Sequence, residues 1–211
     1  MVKAKICGVT NYDDALLVAN LGSDFIGFNF YKDSPRKVSV KMAKEIISKM
    51  PPFVSAVGVF VDESQDEVVK TAKKTGIKYI QLHGNETPEF CKAVAIAAAL
   101  PVIKAFRISD ESSLEVISAY KDSVDYFLLD AYVPGEPGGT GEVFNWDIAL
   151  KAKEMGKPVF LGGGLTPENV TDAILKVMPF AVDVASGVER LQRRKDYDKM
   201  NKFIRAARGL K

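Results

Sequence analysis

The feature that most limits what this chain can fold into is a repeated alternation. Eight short runs rich in β-branched and aromatic residues are each followed by a stretch with helical periodicity. The runs end near residues 7, 29, 60, 82, 106, 130, 161 and 184. They are almost wholly apolar, as Val54–Val61 shows apart from Ser55, which signals strands buried on both faces of a parallel sheet. An open doubly wound sheet fits the length, but eight regular units favour closure into a compact (β/α)8 TIM barrel, a single α/β domain over residues 1–211. Barrels of this type usually need about 250 residues, so the loops on the stability face must be short.

Punctuation residues set the helix boundaries. Gly22 stops a helix over Tyr12–Asn20, and Pro51-Pro52 breaks one running from Val40 to about Met50. Ser64 and Glu67 form a capping box for a helix that Gly76 closes. Thr87-Pro88-Glu89 and Thr166-Pro167-Glu168 each read as an N-cap with proline at the first helical position. A helix is predicted from Ser109 to about Tyr120, another near Trp146–Met155, and a last one from about Asp196 to Ala207.

In such barrels chemistry is built from the loops that follow the strands, so the strand ends are a list of site candidates. They carry Cys7, Asn29, Arg36, Asp62, Gln81, His83, Arg107, Asp130, the run Gly162-Gly163-Gly164, and Ser186-Gly187. Gly163 and Gly164 after strand seven, with Ser186 and Gly187 after strand eight, sit where these barrels recurrently bind phosphate through backbone amides and the start of a short helix. The alternative is a glycine turn that permits tight packing. Asp130 follows an apolar strand, and desolvation raises a carboxyl pKa toward the range of a general acid; it could equally cap the next loop. Cys7, read alone, fits a buried small hydrophobe slightly better than a base. As a base it would need a thiolate, favoured by a nearby charge such as Arg36 or by helix N-termini. Arg36 follows Pro35 and can grip a carboxylate with its fork, or be a solvated loop charge near Lys32 and Lys37. The loop Val133–Gly141 is long enough for a lid, or is a plain connection.

Composition works by exclusion. A formal charge of +2 gives no strong pull toward nucleic acid or anionic membrane. The longest apolar run, Ala93–Leu100, is far short of the roughly 20 residues of a membrane span. Two cysteines, at positions 7 and 91, make no disulfide framework and suit a reducing compartment, and Cys91 reads as packing; the expected location is cytoplasmic. One histidine, His83, and scattered carboxylates without ligand spacing give no metal site.

The motifs taken together resemble the phosphoribosylanthranilate isomerases of tryptophan biosynthesis, over essentially the whole chain. The matching stretches include Lys5-Ile6-Cys7-Gly8, Ser34-Pro35-Arg36, Gln81-Leu82-His83-Gly84, Leu129-Asp130-Ala131-Tyr132, Gly138-Gly139-Thr140-Gly141, Gly162-Gly163-Gly164-Leu165, Pro167-Glu168-Asn169-Val170 and Ser186-Gly187-Val188-Glu189. The resemblance implies a cofactor-free Amadori rearrangement of N-(5-phosphoribosyl)anthranilate to 1-(2-carboxyphenylamino)-1-deoxyribulose 5-phosphate. It assigns Asp130 as acid, Cys7 as base, Arg36 to the anthranilate carboxylate, and the glycine loops to the phosphate. His83, Gly163, Gly164, Ser186 and Gly187 are the further substrate-binding candidates. The implied partner is a small sugar phosphate, with monomer or homodimer both open. After Glu189 the family usually carries a small turn, whereas here Arg190-Leu191-Gln192-Arg193-Arg194 intervenes, expected to point outward. The histidine-pathway isomerase, with two aspartates and two half-barrels, and a barrel that only binds a sugar phosphate are the alternatives.

Overall fold

The computed structural model describes residues 1–131 and 145–209. Eight parallel strands close into a barrel in chain order: β1 (Lys3–Ile6), β2 (Phe25–Asn29), β3 (Ser55–Phe60), β4 (Tyr79–Leu82), β5 (Val102–Ile108), β6 (Tyr126–Ala131), β7 (Val159–Leu161) and β8 (Ala181–Val184). The closing pair, β1 on β8, sets Lys5 beside Asp183. The helices are α1 (Tyr12–Asn20), α2 (Val40–Ser48), α3 (Gln65–Thr75), α4 (Pro88–Ala98), α5 (Ser113–Ser118), α6 (Trp146–Lys153), α7 (Val170–Val177) and α8 (Tyr197–Ala207). The (β/α)8 TIM barrel expected from the alternation is the fold observed.

Local chemistry explains most boundaries. Asn11, Ser39, Ser64, Thr87 and Asp196 each accept a hydrogen bond from a backbone N–H of the first turn that would otherwise lack a partner. The capping box at Ser64 is only half made: Ser64 accepts from the Glu67 amide, but the Ser64 amide donates to Glu63, and Glu67 pairs with Lys70 instead. Two helices begin later than predicted. Asp110 Oδ1 accepts from both the amide and the hydroxyl of Ser112, holding that stretch as a turn, so α5 is confined to Ser113–Ser118. Thr166 Oγ1 likewise closes a turn by accepting from the Glu168 amide, and α7 starts only at Val170.

Strand alternation decides what lies inside the barrel. The lower interior is filled by Phe25, Val57, Ile103, Ala105, Leu128, Phe160 and Ala181, with Tyr79, Tyr126 and Phe180 packed against them. Phe25 meets Tyr79 and Phe160 edge-on at centroid distances of 5.3 Å. This floor closes one end, so a cavity can form only at the C-terminal ends of the strands. A short 3-10 turn at Ser186–Val188 leads into a feature the sequence did not suggest, a small hairpin of β9 (Glu189–Leu191) and β10 (Arg194–Lys195).

Candidate active site

On four strands the inward face turns polar within two to four residues of the floor, while β3 stays apolar with Val59 and Val61. Phe25 is followed by Gly27 and Asn29, Tyr79 by Gln81 and His83, Leu128 by Asp130, and Ala181 by Asp183. Asn29, Gln81, His83, Asp130 and Asp183 join Cys7, Arg36, Gly163, Gly164, Ser186 and Gly187 around one cavity of about 560 Å³. All eight residues singled out as site candidates by the family resemblance therefore face one space. Asp62 and Arg107, also at strand ends, are exposed and do not line it; Asp62 instead accepts from the Asn85 amide at 2.5 Å. The lid expected over Val133–Gly141 lies outside the described residues.

Cys7 is half-buried, its amide held by the Val184 carbonyl at 2.8 Å. Gly27 on the next strand makes room for it: a Cβ there would stand 2.7 Å from Sγ. Four charged groups face the thiol, Lys5, Asp183, Lys195 and Arg36. Burial pushes the Cys7 thiol up; Lys5 pulls it down, Asp183 pushes it up again and Lys195 pulls it down, with the net above the ordinary thiol value. The charge support expected from Arg36 or helix N-termini thus comes chiefly from two lysines. Lys5 lies on the same strand face as Cys7, one step below, is fully buried, and donates to Asp183 Oδ1 at 2.9 Å. The ammonium loses hydration there, yet Asp183 and Cys7 outweigh that loss and raise its pKa.

Asp130 is buried, and its Oδ1 accepts from the Ala131 amide at 3.0 Å. Oδ2 stands 3.3 Å from His83 Nε2, within reach of a charge interaction but outside hydrogen-bonding geometry. The Gln81 amide nitrogen lies 3.0 Å from His83 Nδ1 and donates to it, which places the ring proton of a neutral imidazole on Nε2, facing Asp130. Gln81 Oε1 is itself buried without a hydrogen-bond partner.

Beyond β7, the strand next to the one that carries Asp130, Gly163 and Gly164 adopt φ of +76° and +66°, the left-handed conformation that glycine takes without strain; Gly163 packs so closely on Ala131 that a Cβ there would meet its backbone. Asn169 fixes this turn: its Nδ2 donates to the Gly164 carbonyl at 2.9 Å and its Oδ1 accepts from the Thr166 amide at 2.8 Å. Lys5, Asp183, Glu189 and Lys195 were missed in the sequence. A lysine between Ala4 and Ile6 in a barrel strand, two residues before Cys7, was the available signal for the first. No cluster of three or more His, Cys, Asp or Glu suited to a metal occurs among the described residues.

With this geometry in place, the comparisons with known proteins are specific. The family model for N-(5'-phosphoribosyl)anthranilate (PRA) isomerase matches residues 4–206. A protein of that name from Geobacter metallireducens is 50% identical over 209 residues, 99% of this chain and all of that one. The crystal structure of phosphoribosyl anthranilate isomerase from Thermotoga maritima is 41% identical, with a TM-score of 0.93 over the full length of both chains. A crystal structure of phosphoribosyl anthranilate isomerase in complex with reduced 1-(o-carboxyphenylamino)-1-deoxyribulose 5-phosphate gives 40% identity and a TM-score of 0.90, again over both whole chains.

Proposed function

The chain belongs to the N-(5'-phosphoribosyl)anthranilate isomerase family, and we propose that Cys7 and Asp130 are the base and acid of its reaction. The reaction is the isomerisation of N-(5'-phosphoribosyl)anthranilate in tryptophan biosynthesis. In the proposed sequence Asp130 gives its carboxyl proton to the furanose ring oxygen. The C1–O bond breaks, and the nitrogen lone pair forms C1=N. Cys7, as thiolate, then takes the C2 proton. The C–H electron pair forms C1=C2 and the nitrogen recovers its own pair. The resulting enolamine becomes the ketone as C1 gains a proton and the C2 hydroxyl loses one.

Arg36 is assigned the anthranilate carboxylate, and Gly163, Gly164, Ser186 and Gly187 the phosphate, so that C1 and C2 are held between the two reacting groups. His83, with its ring proton set by Gln81, is assigned a contact to the substrate beside Asp130. The observation that carries this reading is the convergence of a carboxyl, a thiol, a guanidinium and a glycine rim on one cavity. No described helix is long and apolar enough to cross a membrane, and the proposed location is the cytoplasm.

The test follows the fluorescence of the anthranilate adduct, generated in situ, as it is consumed. Cys7→Ser and Asp130→Asn should each lower kcat/KM by about 100-fold or more. Because the reactive form of Cys7 is deprotonated and burial raises its pKa, the wild-type rate should climb with pH along a limb above the ordinary thiol range. Cys7→Ser should lose that limb. Full activity in either variant removes that residue from its role.

A further inference from the structure

Arg36 does not stand alone at the cavity wall. Its Nε donates to Glu189 Oε1 at 2.8 Å and its Nη2 to Glu189 Oε2 at 2.7 Å, a bidentate bond that fixes the plane of the guanidinium. One edge of the fork is therefore taken by the protein. The Nη1 end keeps its donors for a ligand.

Taken by itself, that pair is neutral and would be a poor receptor for an anion. Lys195, directly opposite Glu189 in the hairpin, changes the balance. Its buried Nζ lies 3.3 Å from Glu189 Oε1, so one carboxylate is shared between two basic side chains rather than taken up by Arg36 alone; burial pulls the Lys195 ammonium below its ordinary value, against the opposing pull of Glu189. Burial pushes the Glu189 carboxyl up, but Arg36 and Lys195 outweigh it and hold it below the usual range, so the carboxylate stays charged. Lys195 Nζ also donates to the Ala185 carbonyl at 2.8 Å, immediately before Ser186 and Gly187. The hairpin is pinned from outside by the Lys195 amide on Asp14 Oδ2 and by Lys199 Nζ on the Glu189 carbonyl. The exposed stretch Arg190–Arg194 joins the two buried ends of this device, and Gln192 within it lines the cavity, whereas the sequence predicts a stretch that points outward.

We infer that Glu189 and Lys195 are positioning residues: a buried ion cluster that aims Arg36 at the substrate carboxylate and ties it to the loop assigned to the phosphate. The cluster sets the distance between the two ends of the substrate, and so discriminates for a carboxylated amine. This inference rests on the assignment of Arg36 to the carboxylate, and the experiment separates the two.

Two substrates are compared, both formed in situ from ribose 5-phosphate: the adduct of anthranilate and the adduct of aniline, which lacks the carboxylate. The ratio of their kcat/KM values is independent of how much of a variant is folded. Glu189→Gln should lower kcat/KM for the anthranilate adduct by roughly 10- to 100-fold, mainly through KM, with the aniline adduct changed by less than about threefold. Lys195→Met should lower the ratio in the same direction and also raise KM for the aniline adduct, because it loosens the phosphate loop. Arg36→Met is the control and should collapse the ratio. A collapsed ratio in Arg36→Met with an unchanged ratio in Glu189→Gln overturns the positioning role alone. An unchanged ratio in Arg36→Met overturns the carboxylate assignment and the inference with it.

Discussion

At the scale of the residue, the thiol is governed by a balance between burial and charge. Lys5 is the group best placed to tip it, since it sits directly below Cys7 on β1 with no exposed surface. Replacing it by methionine keeps the chain length and removes the charge. Lys5→Met should move the ascending limb of kcat/KM to higher pH and lower the ultraviolet thiolate absorbance at any fixed alkaline pH. It also leaves Asp183 without its partner, so the protein should lose about 3 kcal/mol in a urea titration. An unmoved limb would mean that Lys5 does not offset the burial of the thiol.

At the scale of the element, the turn after β7 shows how a loop can be rigid without belonging to a helix. Asn169 precedes α7 but makes no capping hydrogen bond; both ends of its side chain return to the loop, to Gly164 and Thr166. Asn169→Ala should therefore raise KM and weaken competitive inhibition by inorganic phosphate by about 10-fold, with kcat little changed. Loss of stability with unchanged phosphate inhibition would give Asn169 a purely structural role. The same element explains a misplaced boundary. Thr-Pro-Glu reads as a helix start by composition at residues 166–168, as it does correctly at 87–89, but the Thr166 hydroxyl closes a turn on the Glu168 amide and Asn169 bonds back to the loop, and α7 starts a turn later.

At the scale of the whole molecule, the aromatic floor and the polar rim are separate layers on the same inward faces. Phe25→Ala removes a fully packed ring from the floor and should cost about 3–5 kcal/mol, measured by urea denaturation. The folded fraction should keep its kcat/KM within a few-fold, because the walls of the cavity begin two residues higher, at Gly27 and Gln81. A large loss of kcat/KM per folded molecule would show that floor and site are mechanically coupled.

The sequence by itself determined the barrel, since eight apolar runs between helical stretches leave closure as the regular solution. It also located the rim, because in a barrel the end of a strand is the edge of the cavity. Cys7, Asp130, Arg36 and the glycine turns were legible for that reason. The tertiary structure alone decided what surrounds them. Lys5 meets Asp183, and Arg36 meets Glu189, across 178 and 153 residues of chain. Spacing in a sequence carries local periodicity, but it does not carry the register with which the last strand closes on the first or a hairpin folds back over the rim. The charges that tune the thiol and hold the guanidinium are set by that closure.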